Sequence, residues 1–156
     1  MQKVYFISGL GADARAFSLL DLSFCEPVFV NWITPLPKES LDSYAQRMME
    51  QISDSDATIV GLSFGGMLAS SMAAKNPTLK VIVLASNKCA AEFPTCLRFG
   101  KYFPVYNWMP NGFYKQRGNI KHWLFGARSP EAKKVFAAIQ QDSDPETMCK
   151  CGNVEM

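Results

Sequence analysis

The chain has 156 residues, 48% hydrophobic and 19% charged, so it is long and apolar enough for one domain with a buried core and too weakly charged for a disordered protein. Its net charge of +2 gives no argument for binding nucleic acid or an anionic membrane surface. The apolar run at the N-terminus is too short for a signal peptide, and nowhere do about eighteen apolar residues follow one another. We therefore expect a soluble, cytoplasmic, single-domain protein.

Apolar runs broken by glycine and proline predict strands that alternate with helices in the first half of the chain. In chain order, the predicted elements are a buried strand over 4–8, a short helix over 14–20, a strand over 27–33, a helix from Leu41 capped by Ser40, a strand over 58–61, a helix over 64–75 and a strand over 80–85. Elements that alternate at these spacings form crossovers in a parallel sheet. The predicted fold class is therefore α/β, a parallel sheet with helices on both faces.

The composition changes after residue 92, because prolines break the chain and residues 93–125 carry ten of its nineteen aromatic side chains. One clear helix is predicted in this part, over 131–141. We therefore divide the chain into a core over 1–92, a helical, aromatic-rich segment over 93–148 and a tail over 149–156, within a single domain overall.

The five cysteines are an odd number at irregular spacings, which is more typical of reduced cytosolic thiols than of a disulfide framework. Cys149 and Cys151 stand close together, but without a second pair or a nearby histidine they make a poor zinc site. The sequence implies no metal and no organic cofactor.

The segment Gly61-Leu62-Ser63-Phe64-Gly65-Gly66 joins a predicted strand to a predicted helix. A sharp strand-to-helix turn forces the residue at its apex into strained backbone angles, with the side chain above the C-terminal edge of the sheet. Glycines at 61 and 65 remove side chains that would collide there, and Gly66 lets the helix approach the sheet. Ser63 is therefore predicted to be held out for attack at a helix N-terminus, whose dipole favours developing negative charge.

The loop that begins at Ser8 also leaves the C-terminal end of a strand. A site that transfers acyl groups needs N–H donors aimed at the oxyanion of its tetrahedral intermediate. In a strand-turn-helix site, one donor is the amide after the nucleophile, Phe64, and the other comes from the loop after the first strand, where Leu10 is the candidate. If the first strand lies between the second and the third, the two loops meet where the connections change sheet face.

These residues resemble the α/β-hydrolase superfamily, and within it small bacterial hydrolases of the serine esterase type. The resemblance covers roughly the first half of the chain and rests on residues 5–17, Asn31-Trp32-Ile33 with Pro35, the helix from Leu41, and residues 61–66. It implies that Ser63 attacks an ester or similar acyl bond of a small molecule, that a histidine oriented by an acid is the general base, and that Leu10 and Phe64 bind the oxyanion. By its position, the segment over 93–148 resembles the variable cap of such enzymes.

The sequence departs from the order Ser, acid, His that this resemblance implies. Its only histidine is His122, inside the expected cap, and the acids that follow it come in the wrong order. No acid stands directly after the fourth strand, where Ser86 is found, and no further strand is predicted before Met156. We therefore expect a C-terminally shortened member of the superfamily that is close to inactive, with a fourth strand whose exposed edge favours self-association.

Three alternatives stay open. His122 could serve as an unorthodox base, although a histidine beside lysine and tryptophan is more often part of an amphipathic surface. The run Gly9-Leu10-Gly11 loosely matches a dinucleotide-binding loop, but the next strand ends without the acid that would hold the ribose. Because a fold does not fix a function, the chain could also be a non-catalytic binding or interaction protein on a hydrolase scaffold.

Overall fold

A computed structural model of the chain describes residues 1–86 and 129–142. Its strands are β1 (Lys3–Ile7), β2 (Glu26–Phe29), β3 (Thr58–Leu62) and β4 (Lys80–Leu84), and its helices are a 3-10 helix (Ala14–Phe17), α1 (Leu41–Met49), α2 (Phe64–Lys75) and α3 (Pro130–Asp142). His122, Cys149, Cys151 and the rest of the expected cap and tail lie outside the described residues, so the division at residue 92 stays a prediction.

The four strands form one parallel sheet in the order β2-β1-β3-β4. In this sheet Tyr5 is paired with Val28 on one side and with Ile59 on the other. The chain runs from β1 out to β2, returns past β1 to β3 and then continues outward to β4, so the direction of the connections changes between β1 and β3. The predicted parallel sheet is confirmed, and the first strand lies between the second and the third, which is the arrangement that brings the two loops together.

The two faces of the sheet bury different sets of apolar side chains. Successive residues of a strand point to opposite faces, so Tyr5 and Ile7 pack with α1 and α2 while Val4 and Phe6 pack with Phe17 of the 3-10 helix. Helix α3 packs against the 3-10 helix. Helices therefore lie on both sides of the sheet, as the sequence predicts.

The second strand is shorter than its apolar run predicts, because it ends at Phe29 instead of continuing through Ile33. The side-chain amide of Gln51 replaces the next strand partner: the N–H of Asn31 donates to Gln51 Oε1 at 3.0 Å, and Gln51 Nε2 donates to the carbonyl of Asn31 at 2.9 Å. These two bonds satisfy the backbone of Asn31 away from the sheet. The segment that follows does not continue the strand, and its Trp32 packs against Tyr44 of α1 and Phe64 of α2.

Helix boundaries agree with the sequence where capping signals are strong. The hydroxyl of Ser40 accepts a hydrogen bond from the N–H of Ser43 at 3.2 Å, which confirms it as the cap of α1. Helix α2 has the predicted bounds, and α3 extends the predicted helix by one residue at each end. The short helix predicted over 14–20 is wrong in length, because Asp13 caps only a single 3-10 segment that ends at Phe17.

Strand β4 is an edge of the sheet within the described residues, and its Ile82 is half exposed. Self-association through this edge stays a prediction. Among the described helices, none is long and apolar enough to cross a membrane.

The carboxylate of Glu39 fastens the segment before α1 to the helix itself. Although Glu39 is buried, both of its oxygens are paired: Arg47 Nη1 donates to them at 2.8 and 3.0 Å, and the N–H of Leu36 donates at 2.8 Å. Burial raises the pKa of Glu39, but the hydrogen bonds from Leu36 and Arg47 outweigh it and hold this pKa below its usual value. The charged form of Glu39 therefore stabilises the fold.

We expect Glu39→Gln to lower the free energy of unfolding at neutral pH by about 1–3 kcal/mol, because the N–H and guanidinium groups lose a charged acceptor. Since the pKa of Glu39 is depressed in the folded chain, its contribution is complete above the unfolded value of about 4.3 and is lost as the pH falls through the folded value. Denaturant unfolding of both chains between pH 7 and pH 3 should therefore show a difference that narrows toward acid. The exposed Glu50→Gln at the other end of α1 is the control, and a constant difference across this range would contradict the assignment.

Candidate active site

The junction between β3 and α2 holds Ser63 in a backbone conformation that side chains rarely adopt. Its φ of 52° and ψ of −121° lie outside the allowed regions for most residues, and Ser63 is the N-cap of the twelve-residue α2. The residue is exposed, and within the described part of the chain its hydroxyl makes no hydrogen bond. A strained turn thus presents an unengaged hydroxyl at the positive end of a helix.

Glycines make this turn sterically possible. A β-carbon on Gly61 would lie 2.5 Å from the carbonyl oxygen of Gly65 and 2.6 Å from the α-carbon of Gly66. A β-carbon on Gly65 would overlap the carbonyl oxygens of Ile7 and Ser8 at the end of β1. The tight turn and the close approach of α2 to β1 therefore both depend on missing side chains.

Hydrogen bonds from neighbouring elements fix the backbone on both sides of the hydroxyl. The N–H of Ser63 donates to the carbonyl of Leu84 at 2.9 Å, and the N–H of Gly66 donates to the carbonyl of Ser63 at 2.9 Å. At the end of β4, Ala85 also has a positive φ, 46°. Backbone strain is therefore found at the ends of two adjacent strands, beside the same serine.

The loop after β1 reaches the same place. A β-carbon on Gly9 would lie 3.3 Å from Ser63 Cβ and 3.8 Å from Ser63 Oγ, so the serine side chain lies directly against this glycine. The two loops that the sequence singles out therefore meet between β1 and β3, where the connections change direction.

Internal hydrogen bonds shape this loop. The buried hydroxyl of Ser8 donates to the carbonyl of Ala12 at 2.6 Å, and the N–H of Ala12 donates back to the carbonyl of Gly9 at 3.0 Å. Gly11 has a φ of 69°, which glycine adopts without strain. Residues 9–11 thus form a closed turn whose ends are tied together.

The two predicted oxyanion donors belong to the two loops that meet at Ser63: Leu10 directly follows Gly9, which lies against the serine side chain, and Phe64 directly follows the serine. Leu10 lies in the closed turn and is 36% exposed, and Phe64 is the first residue of α2. Within the described residues, the backbone N–H groups of Leu10 and Phe64 donate no hydrogen bond to the protein.

Sequence reasoning did not find the role of Trp32, which lies between the two loops. Its indole Nε1 donates to Ser8 Oγ at 3.0 Å and to the carbonyl of Ala12 at 2.9 Å, and its ring stacks on Phe64 with centroids 5.8 Å apart. The sequence placed it near the end of the predicted strand over 27–33 and among the residues that carry the resemblance, and neither signal reveals a long-range partner.

Charged side chains near the loop are engaged with one another. Arg15 donates to Asp13 Oδ2 at 2.6 Å and to Asp142 Oδ2 at 2.7 Å, so it ties α3 to the loop after β1. The side-chain hydrogen bond from Arg15 is the main cause that holds the pKa of Asp13 below its usual value. In the described part of the chain, no group of three or more His, Cys, Asp or Glu side chains is arranged to hold a metal ion.

No family model matches the sequence, and no curated protein matches it either. Solved structures do match. They are a lipase-esterase related protein from Clostridium acetobutylicum (TM-score 0.68, 18% identity), the N-acyl homoserine lactone degrading enzyme Est816 (0.55, 15%) and the epoxide hydrolase CorEH (0.60, 11%). The matches cover 97%, 96% and 96% of this chain. The chain spans 65%, 62% and 64% of the length of those structures.

The sheet, its flanking helices and these structural likenesses define the fold class. The chain has the α/β-hydrolase fold in part, with four of its parallel strands in the described residues. The fold prediction made from the sequence is therefore confirmed.

Strain at Ser63 should be measurable as lost stability. Ser63→Ala removes the hydroxyl and keeps a β-carbon at φ 52°, whereas Ser63→Gly removes both, so the glycine chain should be more stable than the alanine chain by about 1 kcal/mol. Thermal and denaturant unfolding of the two variants measures this difference. Equal stabilities, or a more stable alanine chain, would show that the turn is not strained.

The glycine requirement can be tested at two positions that differ in what a β-carbon would meet. Gly65→Ala sets a β-carbon against the backbone carbonyls of Ile7 and Ser8, which have little room to move, so we expect a loss of about 3 kcal/mol in the free energy of unfolding. Gly9→Ala is the matched control, because its β-carbon would lie 3.3 Å from Ser63 Cβ and at an ordinary contact distance of 3.6 Å from the carbonyl oxygen of Leu62. It should change this free energy by less than about 1 kcal/mol. Similar losses at both positions would contradict the steric argument.

Proposed function

We propose that this chain is a hydrolase of the serine-nucleophile type that acts on an ester or similar acyl bond of a small molecule. The observation that carries the proposal is the backbone of Ser63, whose positive φ places an exposed hydroxyl at the N-terminus of α2. A fold gains no stability from strain of this kind, which is typical of functional sites.

In the proposed reaction, Ser63 Oγ forms a bond to the carbonyl carbon of the substrate while the hydroxyl proton passes to a base. The carbonyl oxygen becomes an oxyanion, which accepts hydrogen bonds from the amides of Leu10 and Phe64. The bond to the alcohol then breaks, the alcohol leaves with a proton, and water later releases the acid from Ser63. Within residues 1–86 and 129–142, these two amides donate no hydrogen bond to the protein, which supports their assignment as oxyanion donors.

The sequence offers one candidate for the histidine base. The sequence contains one histidine, His122, so a histidine base from this chain can only be that residue. Because its place in the sequence does not follow the order Ser, acid, His, we expect the chain to turn over substrate about 10⁴ to 10⁶ times more slowly than a complete triad. The oxyanion donors alone would still give a residual rate above that in water.

The structural likenesses support an acyl bond without fixing it. Two of the similar structures are a lipase-esterase related protein and an N-acyl homoserine lactone degrading enzyme, whereas a third is an epoxide hydrolase. One scaffold therefore carries several hydrolytic chemistries, and fold alone does not choose between them. The exposed serine at the apex favours acyl transfer for this chain.

A second candidate is a non-catalytic binding protein on the same scaffold. The observation that favours it is the lack of a Ser, acid, His order in the sequence. On this view the loops around Ser63 would bind a ligand without reacting with it.

A fluorophosphonate probe separates the two candidates. We expect it to label Ser63 slowly but selectively, because attack on phosphorus forms the Oγ–P bond, expels fluoride and places an oxygen before the same donors. Peptide mass spectrometry after long incubation measures the labelling. Ser63→Ala should abolish it and Ser71→Ala, on the same helix, should not.

Unlabelled wild-type protein would favour the binding protein over the hydrolase. Hydrolysis of p-nitrophenyl butyrate by the wild type, Ser63→Ala and His122→Gln chains then tests the base. If His122 is not the base, His122→Gln should leave the residual rate unchanged, whereas a loss as large as that of Ser63→Ala would identify it as the base.

A further inference from the structure

We propose that Trp32 is a positioning residue that holds the two oxyanion donors, Leu10 and Phe64, in fixed relation to each other. The inference rests on the proposed function, since it assigns how the donors of that site are kept in place. It goes beyond the serine and its amides, because it assigns a side chain that holds the donors in place and takes no part in the bond changes of the proposed reaction.

The first contact is between the indole N–H and the loop that carries Leu10. Trp32 Nε1 donates to Ser8 Oγ at 3.0 Å and to the carbonyl of Ala12 at 2.9 Å, while Ser8 Oγ donates to the same carbonyl at 2.6 Å. These three bonds form a closed triangle around the two ends of the turn over 9–11. The indole therefore fixes the segment from which the N–H of Leu10 projects.

The second contact is between the indole ring and the residue that supplies the other donor. The rings of Trp32 and Phe64 are stacked, with centroids 5.8 Å apart and planes inclined by 20°. Phe64 begins α2, so the position of its ring and that of its amide are linked through one α-carbon. One side chain thus contacts both loops, by hydrogen bonds on one side and by ring stacking on the other.

Contacts with α1 and with the segment after it hold Trp32 in place. Its ring stacks on the buried Tyr44 of α1 at 6.4 Å, and the hydroxyl of Tyr44 donates to the carbonyl of Ile33 at 2.7 Å. On the other side of Trp32, the backbone of Asn31 is paired with the side chain of Gln51. The indole therefore lies between α1 and the two loops and contacts all three.

A purely structural tryptophan would need only one acceptor for its N–H. Here both acceptors belong to the same short loop, and the ring stacks on Phe64, the first residue of the helix that presents the serine. Oxyanion donors act only within about 2.7–3.1 Å of the oxygen, and a shift of about 1 Å can cost roughly 10²-fold in rate. A small movement of the indole would therefore affect the chemical step before it affected the fold.

The test compares Trp32→Phe with Tyr5→Phe in the full chain, because each loses one part-buried hydrogen-bond donor and keeps a ring. The hydroxyl of Tyr5 is bonded to Ser53 and Asp54, in the segment before β3, and not to the loop after β1 or to α2. The rate of Ser63 phosphonylation is measured over a range of fluorophosphonate concentrations, which separates the maximal rate from the half-saturating concentration. We expect Trp32→Phe to lower the maximal rate by about 10- to 100-fold with little change in half-saturation, since the donors act on the transition state. Tyr5→Phe should change the maximal rate by less than about threefold, although it lowers stability.

Ser8→Ala is the second variant, and it decides the question if Trp32→Phe does not fold. It removes the hydroxyl that links the indole to the loop and should also lower the maximal rate selectively. A folded Trp32→Phe chain that is labelled as fast as the wild type would overturn the inference and leave the proposed function standing. Wild-type protein that is not labelled at Ser63 would overturn the proposed function and this inference with it.

Discussion

The close approach of α2 to the end of β1 is the constraint on which the rest of the structure depends. It exists because residue 65 has no β-carbon: the carbonyl oxygens of Ile7 and Ser8 occupy the space that one would need. This approach brings the turn at Ser63 against the loop at Gly9. This contact lies between β1 and β3, where the connections between strands change direction. The chemistry proposed for the serine therefore depends on it.

Much of this architecture is readable from the sequence, because local signals and tertiary packing agree in it. The bounds of α2 follow from the strand before it and from Asn76-Pro77 after it, since a residue before proline leaves the helical region. The strain at Ser63 follows from glycines at fixed offsets. The predicted length of the second strand is wrong because local signals and tertiary packing disagree there. An apolar run cannot reveal that Gln51, twenty residues away, pairs with the backbone of Asn31.

The candidate site is predictable only in the parts that are local in sequence. Ser63 and Phe64 belong to one short motif, and Leu10 follows from the rule that loops at the ends of adjacent parallel strands meet. Trp32 is not local, because its partners Ser8 and Ala12 are brought to it by the sheet and by the stack with Tyr44. A tryptophan in an apolar run is usually interpreted as a core residue. Here the ring of Trp32 packs against the core, and its N–H is bonded to the loop after β1.

Helix α3 buries Ile139 and is also joined to the rest of the molecule by an ion pair. Its Asp142 is bonded to Arg15, whose side chain also pairs with Asp13, and all three charged groups are substantially exposed. Exposed ion pairs are weakened by dissolved salt, whereas the apolar packing of α1 and α2 on the sheet is not. Rising ionic strength should therefore weaken the ion pair between Arg15 and Asp142, and it should not weaken the apolar packing of the sheet that supports the turn at Ser63.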